Sequence, residues 1–308
     1  MRLYRDADHH IPALAAPPVL VAGHPSAPVT LTASNVPLRV VLLGTGDPLN
    51  HERAQASLAV QCLEGAEGAE RETILIDTSR GTILLGQLHA AGIALARIRH
   101  VFISHRHFDH AGGLAPLLVA LSALPAATVT VYAPPITMTA LHDLLAMSIP
   151  GVEEWLGPRL CWRTLVPGQA VAAGRAIVTS FAVAHGMEYV GFRVDTGGVT
   201  LTVSADTRPC PALVKYAEGA DLLIHEAYGL DTVVAEAHRF GHATAADAGR
   251  AACAAGVRRL VLTHVCSSLH ANPTALVDEA KSVFAGPVTL ARDLDVVDVR
   301  TALNARGR

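Results

Sequence analysis

The chain is poor in charge, in aromatic side chains and in any excess of basic residues. Charged residues are 17% of its 308 positions, and 24 Lys and Arg against 27 Asp and Glu leave a formal net charge of −3. A protein that grips a polyanion carries a basic excess, so the overall balance speaks against a nucleic-acid-wrapping surface. Aromatics at 4% make a poor stacking platform for single-stranded bases. Cysteine is scarce as well: Cys62, Cys161, Cys210, Cys253 and Cys266 are odd in number and form no C-x-x-C pair. Neither a disulfide framework nor a zinc knuckle is indicated, and reduced thiols of a cytoplasmic protein are the expectation. Asp6 and Asp8, with Pro12, Pro17 and Pro18 breaking the apolar stretch behind them, make a poor signal peptide. No run is long and apolar enough to span a bilayer, so no membrane partner is expected. What is plentiful is apolar residues, 51% of the chain, which is ample for a core.

Histidine is also plentiful, with 16 residues, and its placement is telling. Val101 to Ser104 read as a buried strand, followed by His105-Arg106-His107-Phe108-Asp109-His110 and then Gly112-Gly113 before an apolar helix at 114–124. Imidazole and carboxylate are ligands that a borderline cation such as zinc prefers. Residues two apart in an extended segment point the same way, so His105, His107 and Asp109 can converge on one side, and His110, on the turn beyond, can face a second ion beside Asp109. Elsewhere, His185 and Asp206 each follow an apolar strand, and Asp221 to Glu226 form a strand ending in His225-Glu226-Ala227-Tyr228. Gly241-His242-Ala243-Thr244 opens a helix with Thr244 and Asp247 spaced for a capping box, and Arg258 to Thr263 lead to His264. Asp77 ends another strand, where a helix cap is one reading. Taken singly, each of these residues has a structural explanation. Taken together, the ligand candidates all lie at a strand's carboxyl end or in the loop after it.

H-x-H-x-D-H after a buried strand resembles the signature of the metallo-β-lactamase superfamily. Leu43-Gly44-Thr45-Gly46 with Asn50 and Arg53, the His225-Glu226-Ala227-Tyr228 stretch with Tyr for Thr, and the run from His242 to His264 narrow the likeness to its ribonuclease Z-like branch. Ala205 stands where that family more often has glycine. The resemblance implies an α/β fold, the αββα four-layer sandwich, as one domain over residues 38–300. Before it lies an Ala/Pro-rich arm, 1–37, that could pack on the body or on a second subunit of a homodimer; a tail, 301–308, follows. It implies two zinc ions, with manganese or iron as substitutes: one on His105, His107 and His185, the other on Asp109, His110 and His264, with Asp206 bridging. Asp109 would also orient the attacking water, His242 would protonate the leaving group, Glu226 would hold His242, and Asp77 would sit behind a ligand histidine.

The implied activity is metal-dependent hydrolysis of a phosphodiester, with a small-molecule ester or phosphodiester as substrate. Arylsulfatase and lactone or carboxylic-ester hydrolysis are the alternatives on the same metal pair. A binding protein on a degenerate scaffold would need lost ligands, and none is missing. Members that process tRNA use a basic, Gly-rich clasping arm that this chain lacks, so tRNA is not expected as substrate. Specificity is expected from loops at 48–56, 134–160 and 186–189, with Trp155 as a pocket-wall candidate and the segment 148–160 unplaced.

Overall fold

The computed structural model describes residues 38–63, 72–266 and 273–300; the expected arm and tail lie outside them. Fourteen strands among these residues form two seven-stranded sheets. The first sheet takes β1 (Leu38–Gly44), β2 (Ser57–Cys62), β3 (Thr73–Ile76), β4 (Ile98–Phe102), β5 (Val129–Ala133) and β6 (Leu160–Thr164) in sequential order. The second takes β7 (Ala170–Ala173), β8 (Ala176–Ala182), β9 (Val190–Thr196), β10 (Val199–Val203), β11 (Leu222–Glu226), β12 (Leu260–Thr263) and β13 (Val288–Leu290), also sequentially, while β14 (Val296–Val299) returns to pair with β1. In each sheet the early strands run antiparallel, and the later ones, β3 to β6 and β10 to β13, run parallel.

Parallel strands need crossovers, and helices supply them: α1 (Ile83–Ala90), α2 (Phe108–Ala111), α3 (Leu114–Ser122), α4 (Pro135–Ser148) and α5 (Val152–Leu156) in the first half, α6 (Pro211–Ala217), α7 (Val234–Arg239), α8 (Ala245–Ala255) and α9 (Pro273–Lys281) in the second. Both faces of each sheet are therefore covered, which is why the strands read as apolar runs. On β1, Leu38, Val40 and Leu42 enter the layer between the sheets, whereas Val41 and Leu43 face the helices. Phe102 stacks on Tyr132 at 4.3 Å within that central layer. This is the expected αββα sandwich.

The Thr244 capping box is present, with Asp247 N donating to Thr244 Oγ1 and Thr244 N to Asp247 Oδ2, both at 3.1 Å. Several expectations need correction. A single strand near 288–299 is instead two strands on different sheets, because Arg292 and Asp295 close a turn between them. The unplaced segment 148–160 holds the short α5, and β7, α6 and α7 are additional elements. Gly113, ahead of α3, lies so close to the chain that a Cβ there would meet Thr78 O at 1.9 Å; only glycine fits.

Candidate metal centre

The proposed ligands lie at one edge of the sandwich because each follows the carboxyl end of a strand, whereas His242 comes from the stretch between α7 and α8. Loops there are free of ladder pairing and can carry polar groups. His105 and His107 continue from β4 as extended chain. The extension ends at His107, which precedes α2. Asp109 consequently does not share a face with His105 and His107 as expected; one helical turn carries it, with His110, to the second side of the site.

Asp206 is central. Its Oδ2 lies 3.7 Å from His105 Nε2, 3.8 Å from His185 Nε2, 3.3 Å from His110 Nε2 and 3.4 Å from His264 Nε2. Asp109 Oδ2 is 3.3 Å from His110 Nε2 and 3.4 Å from His264 Nε2. On the other side, His107 Nδ1 is 3.0 Å from His105 Nε2 and 3.2 Å from His185 Nε2. Two donor sets result, His105, His107, His185 with Asp206, and Asp109, His110, His264 with Asp206, each with its ligand atoms within 4.8 Å of one another.

The outer ring nitrogens are held from behind, which fixes how the inner ones point. His110 Nδ1 donates to Asp77 Oδ2 at 2.8 Å and His185 Nδ1 to Gly241 O at 2.9 Å, while His105 Nδ1 contacts Ser104 Oγ at 2.9 Å. Asp77 also accepts from Ser104 N at 2.7 Å and Ser104 Oγ at 2.8 Å. Asp77 thus backs ligands on both sides of the site. It does not cap the following helix, whose N-cap is Thr82. Buried His110 Nε2 has no hydrogen-bond partner. A buried imidazole nitrogen so placed, facing two carboxylates, fits a divalent cation.

The electrostatics differ between the two sides of the site. Burial, then His110, hold the His105 imidazole well below its usual pKa, and burial with His185 lowers that of His107. Such rings are neutral and ready to donate a lone pair. Burial would raise the Asp109 and Asp206 carboxyls, but His110 and His264 outweigh it and hold both low. Burial disfavours the charged His110 and His264, yet Asp206 and Asp109 keep both raised. His242 Nδ1 donates to Glu226 Oε2 at 3.1 Å; burial opposes its protonation, but Glu226 and Asp206 push its pKa up to about 9. Tyr228 stacks on His242 at 5.0 Å, and His242 on His264 at 5.3 Å.

Backbone strain gathers at the same edge. Asp77, Glu188, Ala205 and His264 have φ of 57°, 60°, 51° and 55°, a region costly for non-glycine residues. Ala205 therefore occupies a position whose geometry suits glycine, as the resemblance implied. Trp155 is half exposed and absent from the cleft beside the site. Asn50 and Arg53 bind scaffold: Asn50 Nδ2 donates to Val265 O and Arg53 Nη1 to Ala291 O. Residues that the sequence did not reveal are Ser104, Gly241 and Tyr189, whose ring packs on His105 at 4.7 Å and His107 at 5.6 Å. Only Tyr189's place at the end of the 186–189 loop hinted at it.

The fold and this double donor set define a metal-dependent hydrolase of the metallo-β-lactamase kind. The profile named Beta-lactamase superfamily domain matches residues 72–265. Ribonuclease Z from Geobacillus kaustophilus is 30% identical over 298 residues, covering 80% of this chain and 94% of that one. A 96-residue stretch is 48% identical to ribonuclease Z from Myxococcus xanthus, 31% of either chain. Among solved structures, the metallo-β-lactamase fold protein YhfI from Bacillus subtilis superposes with a TM-score of 0.71 at 24% identity, covering 85% of this chain and 99% of that one. Human tRNase Z, short form, does so with 0.65 at 24% identity, covering 85% and 99%. The chain belongs to the metallo-β-lactamase superfamily, in its ribonuclease Z-like branch.

The expectation against tRNA does not fit these relatives. Net charge averages the whole surface and says nothing of the potential at one cleft, where Arg106 stands on the wall. No helix among the described residues is long and apolar enough to cross a membrane.

Proposed function

We propose that the chain is a phosphodiester hydrolase working with two divalent cations, zinc by preference, and that RNA lies within its substrate range. The observation that carries this reading is Asp206 Oδ2, shared between two mixed nitrogen–oxygen donor sets. Imidazole and carboxylate ligands of this kind suit zinc, with manganese or iron as substitutes. Bound there, the cations would supply Lewis acidity toward the phosphoryl oxygens and acidify a water. Asp109 orients that attacking water. His242, its Nδ1 held by Glu226, delivers a proton from Nε2 to the leaving alkoxide. The ribonuclease Z relatives favour phosphodiesters over the sulfate and lactone alternatives.

A panel of bis-p-nitrophenyl phosphate, a cyclic nucleotide, p-nitrophenyl sulfate, an aromatic ester, a lactone and a precursor tRNA tests this. Phosphodiesters should turn over best; preferred sulfate or ester hydrolysis would overturn the proposal. Asp206→Ala should abolish both metal retention and rate, whereas His242→Ala should keep metal and lose about 10²–10⁴-fold in rate, most with poor leaving groups.

A further inference from the structure

Beside the His107 and His185 side of the metal centre opens a cleft of about 520 Å³, lined by Arg106, His107, Ile136, His185, Gly186, Met187, Tyr189 and Phe240. That volume is within the range of roughly 300–1,000 Å³ usual for small-molecule sites. Its walls are of two kinds. Met187 and Phe240 are 76% and 54% exposed, and with half-buried Ile136 and the buried ring of Tyr189 they make an apolar and aromatic wall. Arg106 is the cleft's one lining residue with a permanent charge. It is exposed, and no carboxylate among the described residues pairs with it. The acid of the neighbouring loop, Glu188, is held at the cleft's Ile136 rather than on Arg106: its Oε2 accepts from Ile136 N at 3.2 Å, in the first turn of α4. Asp206 and Asp109 face the imidazoles of the metal centre instead.

An unpaired guanidinium beside flat apolar walls matches a ligand that is aromatic at one point and anionic at another. Guanidinium binds phosphate through paired N–H donors, and aromatic and thioether side chains hold a base by its face. Because His107 and His185 form one wall of the cleft, a ligand filling it would present its reacting group to the metal centre and its remaining charge to Arg106. We propose that this cleft binds the nucleoside next to the scissile phosphate, with the base against Phe240 and Met187 and a second anionic group on Arg106. The preferred substrate is then a nucleotide phosphodiester bearing a further phosphate, rather than a simple diester. This rests on the phosphodiester reading above, and it makes Arg106 and Phe240 specificity residues.

The test is calorimetric binding to metal-reconstituted protein, which needs no turnover. The probes are thymidine 3′,5′-bisphosphate, thymidine 5′-monophosphate, thymidine 5′-phosphate esterified at its 3′-hydroxyl as a succinate half-ester, and inorganic phosphate. In the wild type the bisphosphate should bind about tenfold tighter than the monophosphate, the gain of one charge-assisted contact. Arg106→Ala should bring that ratio toward one, and Arg106→Lys should restore part of it. Phe240→Ala should weaken every nucleotide severalfold relative to inorganic phosphate. A succinate that gains as much as the second phosphate would mark Arg106 as a general anion site and overturn the preference for a further phosphate; no gain would support it. An equal loss for mono- and bisphosphate in Arg106→Ala would put the guanidinium on the scissile group and overturn it, as would nucleotide affinities unmoved by Phe240→Ala. Hydrolysis of bis-p-nitrophenyl phosphate, measured alongside, checks the phosphodiester reading separately. Turnover without the binding pattern sinks the cleft assignment alone, and the binding pattern without turnover sinks the activity alone.

Discussion

Asp77 Oδ2 accepts from His110 Nδ1 at 2.8 Å while the same carboxylate accepts from the hydroxyl and the amide of Ser104. Ser104 Oγ in turn lies 2.9 Å from His105 Nδ1. One carboxylate at the end of β3 thus orients an imidazole in each donor set, directly on one side and through a hydroxyl on the other. Such support fixes both ring tautomer and ring direction, and it explains why Asp77 is held at φ 57°, against its backbone preference.

Asp77→Ala should weaken metal binding about 10–100-fold. It also leaves His110 Nδ1 and two Ser104 donors unpartnered in a buried place, at about 3 kcal/mol or more of folding stability. Chelator competition and thermal unfolding of the same preparation read the two effects. Wild-type metal affinity in a folded Asp77→Ala variant would remove Asp77 from its orienting role.

Elemental analysis of reconstituted protein should give about two divalent ions per chain, from the two donor sets around Asp206. Chelation should lower the melting temperature, because ligand binding to the native state alone adds stability by mass action. A single ion at saturation, with folding intact, would leave the paired-cation mechanism without its second partner.

The ligand positions were legible because each polar residue follows an apolar strand, and strand ends in parallel sheets open onto one edge. His105, His107, His110, His185, Asp206 and His264 meet there. The grouping of Asp109 was not legible from extended geometry, since the turn of helix at Phe108 depends on packing around Gly112 and Gly113. Gly241 and Ser104 carry no sequence signal for their roles: both act through atoms, a carbonyl and a hydroxyl, that many residues could offer. The short α6 and α7 lie between strands without a marked apolar stripe, and β7 is mostly exposed, so neither period stood out. Arg106 sits in the opening motif but reads as filler between two histidines until the cleft is seen.

In metal-free protein His242 should titrate near pH 9, against an ordinary 6.5. Burial opposes the charged ring, and Glu226 with Asp206 overcomes it. Because the folded value is the higher one, the linked stability is full below about pH 6.5 and is lost as pH rises through about 9, roughly 3 kcal/mol in all. Glu226→Gln removes the principal attraction, so the His242 titration should fall by one unit or more and the alkaline loss of stability should shrink. Proton NMR of the imidazole C–H signals follows the first and denaturant midpoints at pH 6 and 10 the second. An unchanged His242 titration in Glu226→Gln would separate the two residues.

Gly241 offers the most selective probe of the two donor sets. Its φ is 83°, its carbonyl accepts from His185 Nδ1 at 2.9 Å, and a Cβ at this position would meet that same nitrogen at 2.7 Å and His185 O at 3.1 Å. Gly241→Ala therefore adds a clash with the imidazole to the backbone strain of about 1–3 kcal/mol. The ring has no room to keep both its hydrogen bond and its direction, so the variant should hold about one ion per chain, with His110, His264 and Asp109 keeping theirs. Gly219→Ala separates the causes: its φ is 63°, but nothing lies within 4 Å of the added Cβ. It should lose comparable backbone stability and retain both ions. Elemental analysis and melting curves of the two variants side by side decide the matter, and two full ions in Gly241→Ala would show that His185 reaches the metal centre without this carbonyl.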